Sequence, residues 1–270
     1  DLLNLKNFDV IFPVLHGPYG EDGSVQGFLK LINVPFVGAS VLGSAVGMDK
    51  DFMKRLLNEA GIKNAKCIVV YSGEKILFKN TKKILGLPMF IKPANMGSSV
   101  GISKVKNEKE WDGAIKDAFK YDNKIIIEEM IVGRELECAI LGNEKPIASK
   151  VGEVVLNASF YSYDAKYIDS DGALIEIPAK NLSKIEIKKI QGLALKAYKT
   201  LNCEGMGRVD MFLKENGEIY INEINTIPGF TNISMYPKLW EISGISKTKL
   251  LDKLIGLALE RHKKEIKLKT

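Results

Sequence analysis

Four side chains suited to chemistry by type and spacing lie near one another in the last third of the chain: Arg208, Asp210, Glu223 and Asn225. They occupy two apolar, β-branched runs that flank Asn216-Gly217, a dipeptide that tolerates the positive φ of a tight turn, so residues 205–225 are expected to form a β-hairpin. Pairing Glu215 with Glu218 across a two-residue turn makes partner numbers sum to 433, which sets Asp210 opposite Glu223 and Arg208 opposite Asn225. Opposed residues share a face and side chains alternate along a strand, so all four project from one side. Two carboxylates whose Cα atoms stand about 5 Å apart repel, and a cation between them relieves the repulsion. Oxygen donors from Asp, Glu and Asn suit Mg²⁺ or Mn²⁺, whereas zinc draws His or Cys. The same spacing also fits a solvated polar face on which Arg208 is the counter-charge. Either way, Val209, Met211 and Ile224 form the face that packs on a core.

The elements around this hairpin read as strands that end in polar loops. Residues 8–15 are a continuous apolar run, expected to be a buried parallel strand, and the Gly-rich loop 16–23 after it carries His16 and Glu21. Those two residues are site candidates, and an ordinary loop in which Asp22 or Ser24 caps the next helix fits equally well. Residues 38–43 have the glycine spacing of a phosphate loop, but Ser44-Ala45 replaces the required Lys-Ser/Thr, so no phosphate role follows. An amphipathic helix opens at 48–50 and ends before Gly61; the helix dipole disfavours a cation at its start, which singles out Lys50, though such a Lys is usually solvated. Residues 87–93 form an apolar strand ending in Lys92, followed by Gly97-Ser98-Ser99-Val100-Gly101, which suits either a cover over phosphate oxygens or a plain polar turn.

Residues 124–131 form a strand ending in acids, and a Gly-bounded link leads to a strand through Leu141, the pattern of a hinge. Residues 157–172, rich in Tyr and Asp, read as a lid or an exposed linker. Ser183 and Glu186 form a capping box for a helix to about Thr200. Downstream of the hairpin, a turn-rich loop brings the Gly229 N–H and the Ser234 hydroxyl towards the same space. Residues 250–259 are a packing helix, and the Lys-rich tail with His262 is expected to be solvated.

The composition bounds these readings. At 270 residues, with 46% hydrophobic and 27% charged side chains, the chain has the make-up of a soluble globular protein, and its apolar runs are too short for a membrane span. Cys67, Cys138 and Cys203 are too few and too far apart for a bridge framework or a zinc site. The net charge of +6 is spread along the chain and argues for anionic small substrates rather than nucleic acid. No nucleophile–base pair appears. A divalent-metal tetrad, two lysine-bearing strand ends, a Gly-Ser cover loop and a candidate lid point together to phosphoryl transfer by positioning and charge neutralisation.

In sequence order, His16-Gly-Pro-Tyr-Gly-Glu-Asp-Gly23, Met48-Asp-Lys50, Ile91-Lys-Pro93 with Gly97-Ser-Ser-Val-Gly101, Tyr163-Asp-Ala-Lys-Tyr167, Gly207-Arg-Val-Asp210 and Asn222-Glu-Ile-Asn225-Thr-Ile-Pro-Gly229 resemble the signature set of D-alanine–D-alanine ligases, over nearly the whole chain. The resemblance implies an α/β (α+β) ATP-grasp fold with a truncated N-terminal Rossmann-like subdomain at 1–46, a central ATP-grasp subdomain at 47–131 and a C-terminal one, with metal site and lid, at 132–270. It implies ATP, two Mg²⁺ (or Mn²⁺) ions, two molecules of D-alanine and formation of a dipeptide for peptidoglycan in the cytoplasm. A homodimer without membrane or nucleic-acid partners is also implied.

Residue by residue, the resemblance makes Lys50, Lys92 and Lys166 phosphate contacts. Glu128, Glu129, Met130 and Ile131 become the adenine-side hinge, Glu135 the acid near the ribose, and Phe160 and Asn222 further ATP-binding positions. Asp210, Glu223 and Asn225 become metal ligands, in agreement with the hairpin spacing. Arg208 and the Gly229 N–H become oxyanion stabilisers, Ser98 and Tyr167 the pair that joins lid to second substrate, and His16, Glu21 and Ser234 substrate-lining residues. The lid motif favours D-alanine as second substrate. In one respect the chain departs from the pattern. The family opens with a Gly-rich strand–turn–helix bearing a Glu for the first D-alanine's ammonium, and nothing before Phe8 matches it. Either that segment precedes these residues or the first site is incomplete. The alternative activities are a non-catalytic nucleotide-binding ATP-grasp module and a ligase with a different second substrate.

Overall fold

The computed structural model describes residues 2–156 and 173–269, and the candidate lid residues Phe160, Lys166 and Tyr167 lie outside them. A short 3₁₀ helix (Leu2–Asn7) leads into residues 8–15. The expected buried strand there is not one. Ile11 makes a single parallel bridge to Phe36, and no strand among the described residues pairs on its other side. Pro13 has no N–H to offer a ladder, and Val14 and Leu15 are about half exposed. Three helices follow: α1 (Ser24–Leu31), α2 (Val41–Met48) and α3 (Lys50–Glu59). Asp49 caps α3 by accepting from the N–H groups of Asp51 and Phe52, and Gly61, at φ 66°, follows its end.

The first sheet is antiparallel and contains β1 (Cys67–Tyr71), β2 (Met89–Pro93), β3 (Ser103–Val105) and β4 (Lys124–Glu129) in the order β1-β4-β2-β3, with α4 (Phe78–Leu85) and α5 (Trp111–Ala118) between its strands. Period-2 alternation divides it into two faces. Met89, Ile91, Ile125 and Ile127 pack with Trp111 and Ala114 in one core, while Lys92, Lys124 and Glu128 project from the other face.

The second sheet is antiparallel too: β5 (Arg134–Leu141), β6 (Ile147–Leu156), β7 (Ala173–Glu176), β8 (Met206–Leu213) and β9 (Ile219–Asn225), ordered β7-β6-β5-β8-β9. Helix α6 (Lys184–Thr200), opened by the expected Ser183–Glu186 capping box, covers the face bearing Leu136, Val209, Met211 and Ile224. Helices α7 (Met235–Ile242) and α8 (Lys247–Glu265) cover part of the opposite face, through Ala139, Leu141 and Met206. The rest of that face is left for polar side chains.

Helix α3 joins the two sheets. Met53 and Leu57 enter the core under the second sheet, while Asp49, Asp51 and Lys54 pair with Lys124 and Glu128 of the first. The lysines of the basic tail are exposed, as expected, but the residues that open it are not. Helix α8 continues past residue 259 through Arg261 and His262, and the buried Arg261 guanidinium donates to the carbonyls of Phe36 (2.8 Å) and Gly38 (2.5 Å) and stacks on the Phe36 ring. His262 Nε2 lies 3.0 Å from Asn33 Oδ1. Among the described residues no helix is long and apolar enough to cross a membrane.

Candidate active site

The hairpin β8–β9 places Arg208 opposite Asn225 and Asp210 opposite Glu223, as the spacing predicts, but by a different route. Gly217 N donates to Lys214 O and Lys214 N to Glu218 O, both at 2.9 Å, so the turn holds three residues rather than two. Gly217, at φ 78°, alone takes the left-handed conformation that ends such a turn. Partner numbers near the turn therefore sum to 432, as in Leu213 with Ile219, and a β-bulge between the Asp210 and Met211 pairs restores 433 at the site. The extra residue is Asn222. Its signal was present in the chain, since the buried Ile219, Ile221 and Ile224 break strict alternation.

Asp210 is buried and fully engaged. Arg208 Nε and Nη2 donate to its two oxygens at 2.7 Å each, and Asn225 Nδ2 donates to Oδ2 at 3.0 Å. Glu137 on β5, directly opposite Asp210, adds a second buried carboxylate with Oε2 3.0 Å from Arg208 Nε. Burial alone would depress the arginine's affinity for its proton, but Asp210 and Glu137 more than offset it and raise that affinity well above the ordinary value. The sequence reading missed Glu137, which only the β5–β8 pairing brings to this face.

The cation expected between the carboxylates is thus supplied, in part, by Arg208. Among the described residues no three His, Cys, Asp or Glu side chains are grouped to hold a metal ion. The donor set nevertheless fits a hard divalent cation: it is all oxygen, lies on one sheet face and is already organised around a guanidinium that stands in for positive charge.

The first sheet supplies lysines. Lys50, buried at the start of α3, donates to the Met96 carbonyl at 2.6 Å. Burial lowers its pKa, although Glu223 and Glu128 act the other way. Lys92 pairs with Glu128 Oε2, and Lys54 Nζ stands 2.7 Å from Glu128 Oε1. Burial pushes the Glu128 carboxyl up, but Lys54 and Lys92 outweigh it and hold the group at about 2. Lys92 is raised in turn, because Glu128 outweighs the cost of its burial. Lys54 was not singled out in the sequence, where it reads as one more polar position of an amphipathic helix.

The loops bring in the remaining candidates. Glu21 accepts from Gly17 N at 2.7 Å, and burial raises its carboxyl against the opposing pull of that bond and of the exposed His16. Ser98 and Ser99 adopt φ 52° and 61° in the β2–β3 loop, a sparsely populated region for residues other than Gly. Ser234 Oγ accepts from Thr231 N at 3.0 Å and lies so close to Gly229 that a Cβ there would approach it to 2.8 Å. Glu129 accepts from Lys66 N at 2.8 Å, Met130 and Ile131 form the half-buried link to β5, and Glu135 opposes Phe212 on the same face as Glu137.

One cleft is lined by Glu21, Lys50, Met96, Gly97, Glu223 and Asn225 together with neighbouring backbone, so segments from four parts of the chain converge there. His16, Ser98 and Ser234 are not among its lining residues.

Residues 56–256 match the family model described as D-ala D-ala ligase C-terminus, and residues 2–39 match D-ala D-ala ligase N-terminus. The D-alanine--D-alanine ligase of Oceanobacillus iheyensis is 59% identical over 269 residues, covering 99% of this chain and 73% of that protein. Among solved structures, the D-alanine-D-alanine ligase from Coxiella burnetii superimposes with a TM-score of 0.86 at 42% identity, covering 96% of this chain and 70% of that one. The D-alanine--D-alanine ligase from Bacillus anthracis complexed with ATP gives 0.84 at 31% identity, covering 98% and 84%.

Proposed function

The chain belongs to the D-alanine–D-alanine ligase family, and from that premise we propose how its residues carry the reaction. That reaction is the ATP-dependent joining of two D-alanines, on an ATP-grasp fold. One observation carries the assignment of roles: Lys50 and the Gly97 loop of the first half meet Glu223 and Asn225 of the second across a single cleft.

Lys50, Lys92 and Lys166 neutralise the phosphates of ATP. Glu128 to Ile131 and Glu135 flank the nucleoside, with Phe160 and Asn222 completing its surroundings. Asp210, Glu223 and Asn225 would hold Mg²⁺ or Mn²⁺, which supplies further charge neutralisation at the phosphates when bound. His16, Glu21 and Ser234 line the amino-acid sites, and Ser98 and Tyr167 link the lid to the second of them.

In the first step the carboxylate of one D-alanine attacks the γ-phosphoryl group, giving an acyl phosphate and ADP. The amine of the second then attacks the acyl carbon, and Arg208 with the Gly229 N–H stabilises the tetrahedral oxyanion until phosphate departs. The pairing of Arg208 with Asp210 and Glu137 supports this role, because it holds the guanidinium charged and aimed across the sheet face. We further propose subdomains at 1–46, 47–131 and 132–270, with α3 bound into the last of these by its apolar face, and a cytoplasmic homodimer. Release of ADP by the protein, dependent on D-alanine and accompanied by dipeptide, tests the assignment. No release with D-alanine, D-serine or D-lactate as acceptor would overturn it.

A further inference from the structure

Lys54 lies one helical turn beyond Lys50 on α3, buried, with Nζ 2.7 Å from Glu128 Oε1 and 3.0 Å from the Ala65 carbonyl. Its neighbours Met53 and Leu57 are locked in the core of the second sheet, so its ammonium is held in place. Lys92, held by the other Glu128 oxygen, is the penultimate residue of β2, a few residues before the 97–101 loop. The two lysines differ in anchorage: Lys54 is held by a carbonyl and a carboxylate, whereas among the described residues Lys92 is held by that carboxylate.

For Lys92 to neutralise a phosphate, its ammonium must loosen from Glu128. A carboxylate left without a cation in so buried a place would resist that exchange by roughly 100-fold or more in equilibrium constant. Lys54 removes the obstacle, since it stays on Glu128 while Lys92 turns away. We infer that Lys54 is a positioning residue for ATP, the buried cation that keeps Glu128 neutralised while Lys92 is transferred from that carboxylate to the nucleotide phosphates. This rests on the reading of Lys92 as a phosphate contact. The two lysines acting on Glu128 are consistent with it, because they hold the carboxyl well below its ordinary range in spite of its burial.

The test is calorimetric ATP binding to wild type, Lys54→Met, Lys54→Arg, Glu128→Gln and the Lys54→Met/Glu128→Gln double variant, each checked for folding by circular dichroism. Lys54→Met should weaken ATP binding roughly 100-fold, Lys54→Arg should stay within about fivefold of wild type, and the double variant should return to within about fivefold of Glu128→Gln. The kinetic counterpart is a raised KM for ATP in Lys54→Met with kcat at saturation little changed. An ATP affinity unchanged in Lys54→Met, or a double variant no tighter than Lys54→Met, overturns the inference. Should Lys54→Met fail to fold, ATP binding by the double variant decides: affinity within about fivefold of Glu128→Gln supports the inference, and weaker binding, or failure of the double variant to fold, overturns it. Wild type that binds no ATP would instead refute the phosphate reading itself.

Discussion

Replacing Arg208 with Met should make the stability of this protein depend on divalent cations. The guanidinium makes two 2.7 Å bonds to Asp210 and lies 3.0 Å from Glu137, and both carboxylate side chains are at most 4% exposed. Glu137 and Asp210 are direct partners across β5 and β8, so without Arg208 two buried negative charges face each other on adjacent strands. Removing one side of a buried ion pair costs about 3–5 kcal/mol. The surviving bond from Asn225 to Asp210 places this case towards the lower end. A cation binding the vacated carboxylates restores stability by mass action, about 2.7 kcal/mol at a free concentration one hundred times its Kd. Urea unfolding followed by the fluorescence of the buried Trp111 and Trp240 reads both numbers, once in EDTA and once in Mg²⁺. The variant should lose about 3 kcal/mol in EDTA and regain most of it with Mg²⁺, while wild type, whose Arg208 already balances the charge, gains less. A loss under about 1 kcal/mol in EDTA, or equal gains from Mg²⁺ in the two proteins, would refute the reasoning.

Glu223→Gln removes one proposed metal-bridging charge from the cleft and should abolish dipeptide formation while leaving the circular dichroism spectrum and unfolding midpoint near wild type; wild-type turnover would remove the hairpin from the mechanism. Acid titration should expose Glu128. Its carboxyl is held at about 2 against an ordinary 4.5, so the associated stabilisation, about 3 kcal/mol, is fully present above pH 4.5 and disappears as pH falls towards 2. Urea midpoints measured between those pH values should decline in wild type by more than in Glu128→Gln, and parallel declines would contradict the assignment.

The parts legible in the chain were those set by local spacing. Ser183 and Glu186 announced their capping box, and Asp210, Glu223 and Asn225 announced a shared face. The latter reading came out correct because two one-residue departures cancelled, the longer turn and the bulge. What stayed hidden depended on distant pairing. Glu137 reaches Arg208 only because β5, some 70 residues earlier, is the neighbour of β8. Lys54 becomes distinctive only when α3 lies across β4. The apolar run at 8–15 looked like a buried strand because hydrophobicity reports a tendency to be covered, whereas a strand also needs a continuous ladder, and among the described residues the run forms only the isolated bridge from Ile11 to Phe36.

The bulge at Asn222 decides which side chains this strand can offer. Strike that residue from the chain, and Ile219, Ile221 and Ile224 fall into perfect alternation while Asp210 still meets Glu223. Nothing in folding demands the extra letter. With it, two consecutive polar side chains, Asn222 and Glu223, lie outside the core, where an unbroken strand would spare only one.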